Sequence, residues 1–212
     1  MNDLNLLWAT PVLRSQTESH ALAEKLEKLI LNCELEEFRN KKSLQRNHNS
    51  LFESEFDFLS WKDDAAQEFK SLILSSLGGL IKVANQLTDE ELNALKIQNH
   101  CWFHITRSGG YFQPHNHPNA SWSAIYCVSP GDETANVAES SGCVFFEDPR
   151  LAGTYLDAAN NNMRRDMSFN SIRLRLKTAE LLIFPSYLIH FVEPYIGDKP
   201  RITIAANFWF HR

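Results

Sequence analysis

The chain is poor in paired cysteines, in excess positive charge and in long apolar runs, and each shortage removes a class of protein. Its four cysteines, Cys33, Cys101, Cys127 and Cys143, are widely spaced in 212 residues with no C-x-x-C pair. They form neither a disulfide framework nor a zinc ribbon, so buried, reduced thiols are expected. Basic residues number 21 against 26 acidic ones, a net charge of −5, which argues against binding nucleic acid through its phosphate backbone. No apolar run approaches the roughly 20 residues that span a bilayer. The opening Met1-Asn2-Asp3-Leu4 lacks the positive start of a signal peptide. The expectation is a cytoplasmic protein with no membrane or nucleic-acid partner. With 43% hydrophobic and 22% charged residues the chain has a globular composition, and its length suits a single well-cored domain over 1–212.

The hydrophobic period changes near residue 95. From Thr17 to Phe38, the residues Leu22, Leu26, Leu29, Ile30 and Cys33 fall at helical spacing on a charged segment, which predicts an amphipathic helix. Ser60, just before Asp63, resembles an N-cap, and Trp61, Ala65, Phe69, Ile73, Leu77 and Ile81 continue a second apolar face past Gly78-Gly79. The basic Arg39–Asn49 stretch between them is expected to be a solvated connection. Thr88 and Glu91 form a capping box for a short third helix.

After Lys96, short β-branched and aromatic runs predict eight strands: 97–105, 110–117, 121–129, 142–147, 171–176, 179–184, 188–193 and 201–210. The fold class is therefore α+β, mostly β: a double-sheet jelly roll over 97–212, with a helical N-terminal segment, residues 1–96, packed on one sheet. The polar 148–170 segment is too long for a hairpin and reads either as a lid or as an inert excursion.

Chemistry concentrates in three stretches. In Gln113-Pro114-His115-Asn116-His117-Pro118, strand alternation puts His115 and His117 on one face, where they can share one metal ion. In Phe184-Pro185-Ser186-Tyr187-Leu188-Ile189-His190, an apolar strand breaks and delivers His190 at the start of the next, a third imidazole for a facial site. In the last stretch, alternation puts Arg201, Thr203, Ala205, Asn207 and Trp209 opposite Ile202, Ile204, Ala206, Phe208 and Phe210. An inward guanidinium needs an anion, and a carboxylate held by Arg201 with the Thr203 hydroxyl beside it would supply one. The plainer alternative pairs Arg201 with Glu193 or Asp198.

Taken in order, H-x-H, then F-P-S-x-x-x-H, then R-x-T eleven residues after the last histidine, the chain resembles the iron(II)- and 2-oxoglutarate-dependent oxygenases over residues 97–210. A weaker echo lies in Leu7-Trp8-Ala9-Thr10-Pro11. The resemblance implies a double-stranded β-helix holding iron(II), with 2-oxoglutarate as co-substrate and molecular oxygen as oxidant. It implies hydroxylation of a small-molecule or side-chain substrate. His115 and His190 match the family's two histidines, and Arg201 with Thr203 matches its carboxylate clamp. His117 stands where the wider family has a carboxylate, which leaves the metal one unit more positive. Gln113 and Asn207 are candidates to touch substrate or to support the site, Tyr126 is available as a helper tyrosine, and homodimerisation stays open.

Two other functions fit some of the pattern. One is a three-histidine cupin-type enzyme working without 2-oxoglutarate, suggested by Gly109 six residues before His115. The other is a metal-free jelly-roll binding module with a groove lined by Trp102, Trp122 and Trp209.

Overall fold

A computed structural model describes residues 9–17, 20–42, 50–132, 139–150, 163–164, 167 and 171–212. The described elements run β1 (Leu13–Gln16), α1 (His20–Asn32), β2 (Leu51–Glu53), a 3-10 turn (Phe58–Ser60), α2 (Asp64–Asn85) and α3 (Asp89–Asn93). The jelly-roll strands follow: β3 (Lys96–Thr106), β4 (Phe112–His115), β5 (Trp122–Ser129), β6 (Val144–Phe146), β7 (Ile172–Leu174), β8 (Glu180–Pro185), β9 (His190–Val192) and β10 (Arg201–His211). They form a six-stranded sheet ordered β1-β8-β5-β10-β3-β2 and a four-stranded sheet ordered β4-β9-β6-β7. All pairings within the two sheets are antiparallel.

The eight strands expected after residue 96 are β3 to β10. The two unexpected ones, β1 and β2, are four and three residues long, too short for a period-2 signal to rise above the noise of a loop. They extend the edges of the larger sheet.

Two apolar layers follow from strand alternation. Outward-facing residues of the six-stranded sheet, among them Phe103, Ile105, Tyr126, Ile202, Ile204 and Phe208, merge with the helix stripes Leu22-Leu26-Ile30 and Phe69-Ile73-Leu77 in one buried cluster. Phe58 ties the layers together, its ring 5.6 Å from Phe103 and 6.3 Å from Phe69. Burial of each such ring contributes on the order of 1.5–3 kcal/mol. Inward residues Leu51, Phe112, Cys127, Val144, Phe146, Leu182, Phe184 and Val192 form a second cluster between the sheets. Tyr126 therefore faces the helices, 5.2 Å from Phe69, and not the interior of the jelly roll where a helper tyrosine would stand.

Three local expectations change. Helix α1 stops at Asn32, short of Phe38, and a series of turns follows. The cap of α2 is Asp63 and not Ser60: Asp63 Oδ1 accepts from the amides of Ala65 (2.8 Å) and Ala66 (3.3 Å), whereas the Ser60 hydroxyl closes the preceding turn by donating to Asp57 O (2.6 Å). The described residues of the 39–49 connection are not uniformly solvated, because Asn40 is buried. The Thr88–Glu91 capping box is present in both directions. Residues Leu7 and Trp8 and most of the 148–170 segment lie outside the described residues.

Asp63→Ala is expected to destabilise the protein by about 0.5–2 kcal/mol, since two helix-end amides lose their acceptor. Ser60→Ala should stay within about 0.5 kcal/mol of wild type. Urea unfolding of both variants checks the assignment of the cap.

Candidate metal and co-substrate site

The strand pairing that builds the smaller sheet also assembles the histidines. His115 on β4 stands directly opposite His190 on β9, and a bulge between Phe112 and His115 inserts one extra residue into β4. Because of that residue, Phe112 and His115 both line the cavity while the Gln113 side chain is exposed. The Gln113 side chain is therefore not among those lining the cavity, while its carbonyl bonds His115. His117 follows the end of β4, its amide donating to Ser186 O (2.9 Å), while Asn116 points away and donates to Tyr187 O (3.4 Å). The three ring centroids are 4.4 to 5.3 Å apart, and one ligand atom from each ring lies within 4.8 Å of the others.

The tautomers of two of these rings follow from hydrogen bonding. His115 Nδ1 donates to Gln113 O (2.7 Å) and His190 Nδ1 to Leu188 O (2.9 Å), since a carbonyl can only accept. Each Nε2 therefore keeps its lone pair, the form a metal requires. Burial lowers the pKa of all three rings, and the neighbouring His115 adds to this, bringing His117 to about 4 and His190 to about 3. Phe184 and Phe146 back His190, their rings 5.0 and 5.9 Å from it. Three neutral nitrogen donors gathered within 4.8 Å of one another supply the donor set of a divalent ion, whose bonds near 2 Å would draw the rings closer together.

The same cavity, of about 580 Å³, is lined by Arg201, Thr203 and Asn207 from the inner face of β10. Arg201 is only 3% exposed. Glu193, one proposed partner, is engaged by Arg173 through two bonds of 2.7 and 3.0 Å, and among the described residues no carboxylate pairs with Arg201. Desolvation lowers its guanidinium pKa, opposed only by two thiols and a phenol, Cys127, Cys143 and Tyr195. A buried cation without an anion is costly, so this end of the cavity is built for an anionic ligand. Gly142, at φ +64°, lies against the arginine stem, where a Cβ would come within 3.0 Å of Arg201 Cδ.

The opposite wall carries residues that sequence reasoning missed. Glu53 faces His104 across β2 and β3, with Glu53 Oε2 3.0 Å from His104 Nε2. Trp102 Nε1 donates to the same ring nitrogen (2.9 Å), and Asn40 Nδ2 donates to Glu53 Oε1 (2.9 Å). Trp102 meets His117 edge-on at 6.2 Å. No motif marked Asn40 or Glu53, which reach the cavity only through pairing of β2 with β3. Of the three tryptophans proposed to line a groove, Trp102 lines the cavity, Trp122 packs on the helix-side core and Trp209 donates to Gln98 (2.8 Å).

A jelly roll with a facial imidazole cluster beside a buried, anion-seeking arginine defines the class of metal-dependent, carboxylate-binding oxygenases. The family model described as "Putative 2OG-Fe(II) oxygenase" matches residues 100–207, and the chain belongs to that family. It is an iron(II)- and 2-oxoglutarate-dependent dioxygenase, with molecular oxygen as the further co-substrate. A search of the curated proteins finds no match. Among solved structures, a Pseudomonas putida prolyl-4-hydroxylase superposes with a TM-score of 0.63 at 14% identity, over 96% of this chain and 93% of that one. A prolyl hydroxylase from Trichoplax adhaerens, solved with a hypoxia inducible factor peptide fragment, gives 0.61 at 13%, over 95% and 83%. HygX from Streptomyces hygroscopicus, solved with nickel and 2-oxoglutarate bound, gives 0.58 at 8%, over 94% and 83%. At such identities the likeness is one of fold.

The pKa shifts carry a signed consequence. With folded values below the ordinary 6.5, the unfolded chain takes up protons first as pH falls, so stability is complete above about 6.5 and declines from there toward 4. The urea midpoint of metal-free protein should be lower at pH 5 than at pH 7, and the difference should shrink in His117→Gln. An equal pH response in the variant would contradict the depressed value of His117.

Proposed function

We propose that His115, His117 and His190 hold the iron and that Arg201 and Thr203 hold the distal carboxylate of 2-oxoglutarate, in an enzyme that hydroxylates its substrate. The observation carrying this reading is the meeting, in one cavity, of three neutral imidazoles and a buried arginine that has no carboxylate partner among the described residues. Bound iron(II) would supply oxygen activation coupled to oxidative decarboxylation: substrate C–H, oxygen and 2-oxoglutarate give substrate C–OH, succinate and carbon dioxide. The chain's own role is to place and to exclude. Gln113 O and Leu188 O orient two imidazoles, the Arg201 fork receives a carboxylate at two points with Thr203 beside it, and Phe146, Phe184 and Trp102 keep water from the reacting centre.

The same reading places the whole 1–212 chain in one catalytic domain, acting in the cytoplasm on a small molecule or a side chain, and leaves a homodimer open. In support, no described helix is long and apolar enough to cross a membrane, and the four cysteines are free.

His190→Ala should abolish stoichiometric metal binding, measured by metal analysis after anaerobic loading. His117→Asp, which introduces the wider family's carboxylate, should retain it. Arg201→Ala should keep the metal and weaken 2-oxoglutarate by roughly thirty- to several-thousand-fold, the 2–5 kcal/mol range for one partner of a buried charge pair. Arg201→Lys should rescue partly, because charge survives and the fork does not. Anaerobic calorimetric titration of 2-oxoglutarate decides: equal affinity in wild type and both arginine variants defeats the assignment.

A further inference from the structure

The cavity continues beyond the metal and carboxylate ends to a wall with no role so far. There Ser123 of β5, Ser186 of the turn after β8, and Asn207 of β10 are all buried and linked in a line. Ser123 Oγ donates to Asn207 Oδ1 (2.7 Å), and Ser186 Oγ lies 2.8 Å from Ser123 Oγ.

Counting protons fixes the direction of this chain, since each hydroxyl has one to give. With the Asn207 amide turned over, Asn207 would donate to Ser123 and Ser123 to Ser186. The Ser186 proton, fully enclosed, would then meet no acceptor among the described residues. A buried donor without an acceptor is strongly disfavoured. Run from Ser186 to Ser123 to Asn207 Oδ1, every proton is used. Both Nδ2 protons of Asn207 are then left for the cavity that the residue lines, where Nδ2 has no partner among the described residues.

Position separates this amide from the co-substrate. Asn207 is four strand residues, about 13 Å, beyond Thr203, with the small Ala205 between them. A five-carbon dicarboxylate spans roughly 5 Å between its carboxyl carbons, given carbon–carbon bonds near 1.5 Å, so a molecule clamped at Arg201 and Thr203 ends short of Asn207. The relay nevertheless stands beside the imidazoles, because Ser186 O accepts the His117 amide. Facing it across the strand ladder, Trp102 pairs with Ala205 and His100 with Asn207. Phe56 packs against Trp102 at 4.7 Å and against His100 at 5.5 Å, giving an aromatic wall.

The geometry points to Asn207 as a specificity-determining residue for the primary substrate: its amide donates to a carbonyl or carboxylate oxygen, beside a flat or apolar group against Trp102 and Phe56. An amine at that position is rejected, since donor would meet donor. This inference rests on the site assignment above and adds the substrate class.

The test uses the full chain loaded with zinc, which is redox-inert, and saturated with 2-oxoglutarate, observed by proton–nitrogen NMR. The reporters are the Asn207 side-chain amide pair, identified by its loss in Asn207→Asp, and the backbone amides of residues 205–208. N-methylacetamide, acetate and methylammonium are titrated separately. One or both oxygen-bearing probes should move the Asn207 pair while methylammonium does not, and the stronger of the two tells an amide-type substrate from a carboxylate-type one. In Asn207→Asp the oxygen-bearing probes should weaken about tenfold or more and methylammonium should now move the backbone reporters. If that variant does not fold, Ser123→Ala, which frees the amide to turn, should weaken the same probes severalfold. A wild-type pair moved by methylammonium, or left unmoved by both oxygen-bearing probes, overturns the inference. Calorimetry of 2-oxoglutarate beforehand separates the two failures. If the co-substrate does not bind, the site assignment fails and takes this inference with it; if it binds and the probes stay silent, only the role of Asn207 fails.

Discussion

Strand β10 is hydrogen-bonded along both edges, to β3 from Arg201 opposite Thr106 to His211 opposite Lys96, and to β5 from Ile202 opposite Ser129 to Phe208 opposite Trp122. Side chains alternate faces along a strand, so this double ladder settles which residues meet the helices and which meet the cavity. Ile202, Ile204, Ala206 and Phe208 close the helix-side core, and Arg201, Thr203, Ala205 and Asn207 line the site. A slip of one residue would exchange the two sets, burying a guanidinium among leucines and phenylalanines and removing Arg201 and Thr203 from the cavity together with the loss of the core. Stability of the sheet and competence of the site therefore constrain the same register.

Desolvation works in opposite senses at the two ends of the cavity. It holds the imidazoles neutral, with lone pairs ready for a cation, and it makes the enclosed Arg201 charge expensive until an anion arrives. One low-dielectric space thus offers lone pairs at one end and an unneutralised cation at the other. Glu53, in the facing wall, favours the charged form of His115 against this trend.

Backbone carbonyls do much of the orienting. His115 bonds the carbonyl two residues earlier, at Gln113, and His190 bonds the carbonyl two residues earlier, at Leu188. A repeated i to i−2 contact locks each ring to its own stretch of backbone, at the end of β4 for His115 and the start of β9 for His190, so the tautomer is set locally while the cross-strand pairing of β4 with β9 sets the distance. The serine of the F-P-S stretch serves both sides of the cavity, its carbonyl holding His117 and its hydroxyl leading to Asn207.

Period and spacing alone determined much of this protein. The 3.6-residue stripes of α1 and α2, the eight jelly-roll strands, the shared face of His115 and His117, and the inward face of Arg201, Thr203 and Asn207 are all local properties of the chain, readable because alternation is fixed by backbone geometry. What local pattern cannot carry is an insertion or a distant partner. The bulge in β4 turned Gln113 outward although it shares parity with His115, and the phase of β5, fixed by its neighbours β8 and β10, sent Tyr126 to the helices. Three-residue β2, invisible as a pattern, brought Glu53 against His104, and a connection that looked solvated supplied Asn40. The direction of the Ser186–Ser123–Asn207 relay likewise exists only when two strands and a turn separated by up to 84 positions close on one another, because a proton's route depends on which groups are buried together and not on which follow one another in the chain.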